Sequence, residues 1–466
     1  MYQKQLAAYF ASHRQELVDD ICRLVAIESV GGEAQPGMPY GAGPARALRT
    51  AMELAQRMGF SATDYDGYAL TVDMNDKPAQ LDILAHLDVV PGGEGWTVTT
   101  PFVPVEKDGL LYGRGVADDK GPAVAALYAM RAVKELGIPL SKNVRLILGT
   151  DEERGSSDIE HYYQHNPEAP MTFSPDADFP LINIEKGRVL GRLSAQWEPS
   201  ELLPRILTLH CGERPNVVSQ SAEADLAGLT AAEVSPIAAE VAEQTGICFH
   251  LADTDMGVRL LAQGIGAHAS TPQQGRNALT GLLELLCRLP LQMDGAMQRL
   301  SVLHQLFPHG EFGGESAGMA CRNTLSGDTT LAFTVLHLQD NTLHGEFDSR
   351  TAISAVKENT ADVLAAKLAE NGITPNFECT APHHVSAESP LVQELLHCYE
   401  RYTGNKGVPL AMGGFTYVHD LKNGVAFGCT MPGFEPHMHG ADECVDINTL
   451  LLSGQMFAQA IIDLCR

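Results

Sequence analysis

The chain has 466 residues, 44 % hydrophobic and 19 % charged, with a formal net charge of −26 at pH 7. At this length two hydrophobic cores, and so two domains, are expected rather than one. The acidic balance argues against nucleic acid and anionic membranes as partners, because both select basic surfaces.

Residues 3–27 read as one amphipathic helix, with Leu6, Phe10, Leu17, Ile21 and Leu24 near a 3.6-residue period. Their mixed charges match neither a signal peptide nor a membrane span, so a cytoplasmic protein is expected. The ten cysteines are scattered singly, with no Cys-x-x-Cys pair. That is the usage of reduced core thiols in a reducing compartment, not of a disulfide or thiolate-zinc framework.

A Gly/Pro-rich loop over 31–43 leads to a helix over 44–58, stopped by Gly59. Residues 68–73 and 81–85 are strand-like, and Lys107-Asp108-Gly109 marks a hairpin turn. A long Ala/Leu-rich helix covers 120–136, a strand 144–148, a short helix 157–165 and another strand 171–173. Strands alternating with helices imply a mostly parallel sheet covered on both faces, with ligands beyond the carboxyl ends of the strands.

Near Gly187 the texture changes. Residues 189–197 and 206–211 are strands with exposed alternate residues, and a helix over 235–243 is expected with Ser235 as its cap and Pro236 in its first turn. A helix over 274–289, antiparallel strands over 331–338 and 342–347, and a helix over 353–371 complete an α/β sandwich without the parallel pattern. A helix over 390–403, a strand over 425–427 and a terminal helix over 446–464 restore the first texture. The economical topology is an insertion: residues 1–186 and 384–466 form one discontinuous domain and 187–383 a second.

The chemistry-bearing residues fall at strand ends and Gly turns. His86 and Asp88 of Ala85-His86-Leu87-Asp88 are two apart and share one strand face. Asp118 and Asp119 close the Gly-rich turn Gly113-Arg-Gly-Val-Ala-Asp118-Asp119-Lys120-Gly121. Asp151-Glu152-Glu153, Ser174-Pro-Asp176-Ala-Asp178 and His437-Met-His439-Gly-Ala-Asp-Glu443 follow. Singly, each piece reads most simply as a solvated turn or a satisfied core histidine. Together they offer the carboxylates and imidazoles that a dinuclear centre needs, a donor set suited to zinc and also to manganese or cobalt. Asp88 can accept the second N–H of His86 and fix its tautomer.

In these motifs the sequence resembles the M20 family of dinuclear-metal peptide and aminoacyl amidohydrolases, most closely the dipeptidases like PepV. The resemblance implies a zinc-peptidase-like, mostly parallel sheet flanked by helices, with an inserted α/β-sandwich lid domain. It assigns His86, Asp118, Glu153, Asp176 and His439 as metal ligands, Asp118 as the bridge between two divalent ions, and Glu152 as the general base. From its place beside His86, Asp88 is counted with the catalytic group; His437, Asp119, Asp178 and Glu443 are neighbours, with Asp119 expected to help hold a strained turn and Glu443 to orient His439.

In the second domain it matches His268 to an oxyanion donor, Asn216 to a residue holding the substrate backbone, and Arg350 to the partner of the substrate carboxylate. Gly414 and Thr416 fall in Gly413-Gly-Phe-Thr-Tyr-Val-His419, which borders the substrate end of the cleft. Phe415 and His419 stand where the branch usually has a third Gly and an Arg, and the usual proline after Arg350 is missing. These departures touch substrate preference and not the metal set. The implied activity is metal-assisted hydrolysis of short peptides with free ends, by a monomer or homodimer. The rival readings are an N-acyl-amino-acid deacylase and a non-catalytic metal- or peptide-binding protein on the same scaffold.

Overall fold

Leu81, Ile83, Leu84 and Ala85 put apolar side chains on both faces of the strand Ala79–His86, and all four are fully buried. A strand covered on both sides reads as an apolar run, not as an alternation. In the computed structural model, which describes residues 2–466, this strand pairs in parallel with Asn143–Gly149 on one side and Met171–Ser174 on the other. Gly424–Ala426 adds in parallel beyond Met171–Ser174, while Ala69–Asp73 and Ser61–Tyr65 form an antiparallel margin. The α/β sheet expected from the sequence is therefore present, with four parallel strands at its centre and antiparallel pairings at its margins.

Lys120–Glu135 is buried along nearly its whole length and packs on the terminal helix Ile447–Cys465. The expected single helix over 3–27 is two, Gln3–Ser12 and Arg14–Val25. His13 breaks it: its Nδ1 sits 2.9 Å from the Tyr9 carbonyl and its ring stacks on Tyr9, so the side chain competes with the backbone for that carbonyl. Leu6, Phe10, Leu17, Ile21 and Leu24 are all buried, as their period required.

Contacts group the chain into two units. The first comprises residues up to Ile184, His384–Leu410 and Phe415–Arg466; the second comprises Glu185–His383 and Ala411–Gly414. The second is built on an eight-stranded antiparallel sheet. Its order is Cys248–Asp253, Gly257–Gln263, Ser221–Ala227, Arg205–Cys211, Thr330–Gln339, Thr342–Thr351, Gly187–Gln196 and Thr374–Thr380. One face packs on helices Ala231–Thr245, Ala278–Arg288, Gly295–Leu306 and Ala361–Glu370, and alternate residues of the other face stay exposed.

Helix starts here differ from the sequence reading, for a common reason. The helix expected at Ser235 begins at Ala231, because Thr230 and Glu233 form a reciprocal capping box one turn earlier; Pro236 lies inside the helix. The helix expected from Gln274 begins at Ala278, since Asn277 accepts from the N–H groups of Leu279 and Thr280. The segment 353–371 becomes a short turn, Lys357–Asn359, followed by Ala361–Glu370. Gly295–Leu306, capped by Asp294, was not expected at all. Among the described residues no helix is long and apolar enough to cross a membrane.

Asn277 also donates to the Phe333 carbonyl at 2.7 Å, tying the helix start to the sheet. Asn277→Ala removes the cap and leaves that carbonyl unpaired. A loss of about 1–3 kcal/mol is expected in urea unfolding followed on the second unit.

Candidate active site

The strand Ala79–His86 delivers His86 at its carboxyl end, fully buried. Its backbone N–H donates to Asp119 Oδ2 at 3.0 Å, so Asp119 holds the strand end. The ring Nδ1 lies 3.0 Å from the Asp88 carbonyl oxygen and 3.4 Å from its carboxylate. Nε2 points at two carboxylates, 2.8 Å from Asp118 Oδ1 and 3.6 Å from Asp176 Oδ2. The other oxygen of Asp118 lies 2.9 Å from His439 Nε2, which is also 3.1 Å from Glu153 Oε1. Asp118 thus spans two imidazoles with its two oxygens. Two donor groups result, His86 with Glu152 and Asp176, and Asp118 with Glu153 and His439; within each, the donor atoms lie within 4.8 Å of one another.

The support beneath these groups is made of further buried acids. The Asp88 carboxylate accepts the backbone N–H groups of Glu152 (3.2 Å) and Glu153 (3.1 Å), so its main work is to hold the turn Glu152–Arg154. The shorter contact from the His86 ring goes to the backbone carbonyl of Asp88 instead of the side chain proposed for it. Asp158, fully buried, holds the residues just before this turn, accepting from Thr150 N, Asp151 N (2.9 Å) and the Tyr417 hydroxyl.

Glu443 does not turn towards His439. One of its oxygens accepts from Gly115 N (2.9 Å), Ala117 N (3.0 Å) and Asp118 N (3.3 Å), and the other pairs with Arg114 at 2.6 Å. Arg114 also donates to the Gly440 carbonyl at 2.9 Å. One buried ion pair therefore fastens the loop carrying Asp118 to the loop carrying His439. Arg114, Asp158 and Tyr417 escaped the sequence reading; only the place of Arg114 inside the Gly-rich motif hinted at it. His437 and Asp178 join neither donor group.

The electrostatics favour a cation. Burial raises the pKa of Asp176 to about 6, with the Asp118 charge adding to it. Burial and the charges of Asp176, Asp118 and Glu153 push Glu152 well above the usual carboxylate range, although His86 opposes them. Hydrogen bonding to Asp118 and Glu153 lifts the pKa of His439 to about 11; burial pulls that of His86 down, but the carboxylates of Asp118, Asp176 and Asp88 raise it well above its ordinary value. Glu153 Oε1 is buried, with His439 Nε2 at 3.1 Å as its partner. Clustered acids and imidazoles on either side of one carboxylate form a donor set that divalent ions fit.

In the second unit, Asn216 and His268 are brought together by the short pairing of Val217–Val218 with Ala267–His268, and the Asn216 carbonyl accepts from Ala269 N at 2.9 Å. The ring of His268, on an exposed residue, lies 2.6 Å from Ser270 Oγ. Arg350 is buried, donating to both oxygens of Asp348 (2.8 and 3.2 Å) and to the Gly413 carbonyl. A Cβ on Gly413 would meet Ser270 Cβ at 3.1 Å and Arg350 Cγ at 3.7 Å, so the backbone there passes close to both. His268, Ser270, Gly413 and Arg350 are thus one neighbourhood, with Gly414 next in the chain. Thr416 belongs to the first unit, buried, with its carbonyl accepting from His419 N at 3.0 Å; the rings of Phe415 and His419 lie 4.1 Å apart.

A sheet with a parallel centre, whose strand ends and adjoining loops gather carboxylates, the buried His86 and the exposed His439, fits the class of metal-dependent hydrolases of α/β architecture. The chain belongs to peptidase family M20/M25/M40, which it matches over residues 83–463, and it is a metallopeptidase. It is 34 % identical to YtjP of Bacillus subtilis (strain 168) over 97 % of this chain and 98 % of that one. It is 32 % identical to the Beta-Ala-Xaa dipeptidase of Lactobacillus delbrueckii subsp. lactis over 97 % of each chain. Among solved structures, human carnosine dipeptidase 1 shares the fold with a TM-score of 0.62 at 15 % identity, covering 100 % of this chain and 99 % of that one.

Two outcomes are expected. Glu443→Gln weakens the hold on the Asp118 loop and lowers affinity for added divalent metal by about 10–100-fold in calorimetric titration. Ligation requires neutral imidazole. Since the carboxylates around them raise the pKa of His439 to about 11 and that of His86 well above its ordinary value, metal binding at neutral pH is expected to release protons and to tighten as pH rises. Titration in buffers of different ionisation enthalpy measures that release.

Proposed function

We propose that this protein is a dinuclear-metal dipeptidase that hydrolyses the peptide bond of short peptides with free amino and carboxyl ends. The observation that carries the reading is Asp118, whose two oxygens face His86 and His439 separately at 2.8 and 2.9 Å, the arrangement a bridging carboxylate needs. His86 and Asp176 would hold one ion, and Glu153 and His439 the other, with Asp118 shared. Zinc suits this donor set best, with manganese or cobalt as substitutes. When bound, such a pair lowers the pKa of an attacking water and polarises the scissile carbonyl.

Glu152 then serves as general base and acid. It takes the proton of the attacking water and returns it to the leaving amine. Its membership of the His86 and Asp176 group, and a carboxyl raised well above its ordinary range, support that role. Asp88 acts by holding the turn that aims Glu152 and Glu153.

We assign residues 187–383 the part of a lid, from which His268 stabilises the oxyanion, Asn216 holds the substrate backbone and Arg350 receives the carboxylate. A planar guanidinium already fixed by Asp348 is pre-oriented for a carboxylate. Gly414 and Thr416 border the same end of the substrate. The dipeptidase names of the Lactobacillus relative and of the human structural neighbour support dipeptides as the substrate class. Ten free cysteines, none in a disulfide, support a cytoplasmic setting.

The test is a panel of Ala-, Gly- and β-Ala-initiated dipeptides, one tripeptide and matched N-acetyl amino acids, run on metal-stripped and metal-restored protein. Dipeptide turnover should require metal and fall by about 10²–10⁴-fold in Glu152→Ala. Arg350→Ala should raise KM for dipeptides and abolish discrimination against C-terminal amides. Turnover confined to acetylated substrates would make the protein a deacylase, and no turnover with both ions bound would leave it a binding protein.

A further inference from the structure

Three histidines outside the candidate active site stand on one face of the second unit's sheet. His210 lies in Arg205–Cys211, His337 in Thr330–Gln339 and His344 in Thr342–Thr351, three consecutive strands of the sheet. The register sets His210 opposite His337 and His337 opposite His344. Directly opposed residues of an antiparallel pair share a face, with Cβ atoms about 4.5–5.5 Å apart. The three imidazoles therefore make one transverse row. Their neighbours Leu209, Leu336, Leu338 and Leu343 are buried in the core on the opposite face. That leaves the row on the solvent side, with His210 and His344 exposed and His337 half-buried.

Two of the rings have already converged. Nδ1 of His210 lies 2.8 Å from Nδ1 of His337, with ring centroids 4.4 Å apart. A contact of this length between ring nitrogens needs one of them as an acceptor, so at least one ring is neutral, the form that ligates metals. Two nitrogens on a tetrahedral zinc, at bonds of about 2.0–2.1 Å, sit roughly 3.3 Å apart. Holding one ion would open the pair by about half an ångström, turn both lone pairs towards it and swing the His344 ring in beside them. Burial, with His210 and His344 adding to it against Gly212 and Glu346, lowers the pKa of His337. Negative charge is also at hand: Glu223 is opposite His210 in register, and Glu346 follows His344 by two residues on the same face.

We propose that His210, His337 and His344 form a surface metal site, separate from the candidate active site, for a borderline divalent ion such as Zn2+, Ni2+ or Cu2+. Imidazole is a favoured ligand for all three ions. An ion held there would staple three adjacent strands in the middle of the sheet, and binding to the folded state alone would raise its stability.

The experiment counts zinc per chain by elemental analysis after equilibration with a small excess of Zn2+ and desalting. Wild type is compared with His210→Ala, His337→Ala and His344→Ala, and with glutamine at each position to guard against loss through misfolding. The expected result is one zinc fewer in every variant, with turnover unchanged and the Zn2+-induced rise in unfolding temperature reduced. Equal zinc in wild type and variants overturns the site, and retention in His344→Ala alone overturns the three-imidazole assignment. The count is a difference between wild type and surface variants, so it stands or falls independently of the proposed peptidase activity.

Discussion

The carboxylate of Asp118, buried with an imidazole against each of its oxygens, is the interaction on which the rest of the site depends. A buried carboxylate is costly unless its charge is met. Here it is met from the side of the site by His86 and His439, and from behind by the fold. Three backbone N–H groups of the Gly-rich loop, those of Gly115, Ala117 and Asp118, donate to Glu443, and Glu443 is in turn paired with the buried guanidinium of Arg114. Arg114 reaches on to the carbonyl of Gly440. Residues more than three hundred positions apart are locked in register by one ion pair, and that register sets the distance between the two imidazoles.

The same logic separates two adjacent glutamates. Glu152 and Glu153 sit on a single turn of 3-10 helix held by Asp88 at its start and Asp158 behind it. In that geometry Glu152 joins His86 and Asp176, while Glu153 joins Asp118 and His439. On a strand, neighbouring side chains would alternate between opposite faces; on the turn they reach two donor groups of one site. Tyr417, hydrogen-bonded to Asp158 and edge-on to the His86 ring, closes the back of this assembly. The proposed division of labour between Glu152 and Glu153 rests on that turn.

In the second unit the same economy appears around a cation. Asp348 is fully buried and takes both Arg350 and Arg188, so neither the acid nor the guanidinium of Arg350 is left without a counterpart. Close passage of the Gly413 backbone brings Ser270, and through it His268, into the same neighbourhood. A prepositioned guanidinium loses little freedom when it meets a carboxylate, which is the advantage of arginine in the substrate role proposed for it.

Much of this was legible in the residues alone. The apolar run ending in His86 read as a strand, and His86, Asp118, Glu153, Asp176 and His439 fell at strand ends or Gly turns, where sheets of this class bind their ligands. Helix starts were less legible. Thr230 and Asn277 out-competed the residues that periodicity favoured, since a cap is decided by which side chain reaches an unpaired N–H in three dimensions. Supporting acids were least legible of all. Asp88, Asp158 and Glu443 bond to backbone N–H groups of segments far away in sequence, and no local pattern records such a partner. Sequence by itself picked out the candidate side chains and the elements that present them, because residue type and local period are visible there, while their proposed roles came from the resemblance to the family. Tertiary structure alone decided which acid faces the site and which holds the backbone behind it, because that depends on long-range register.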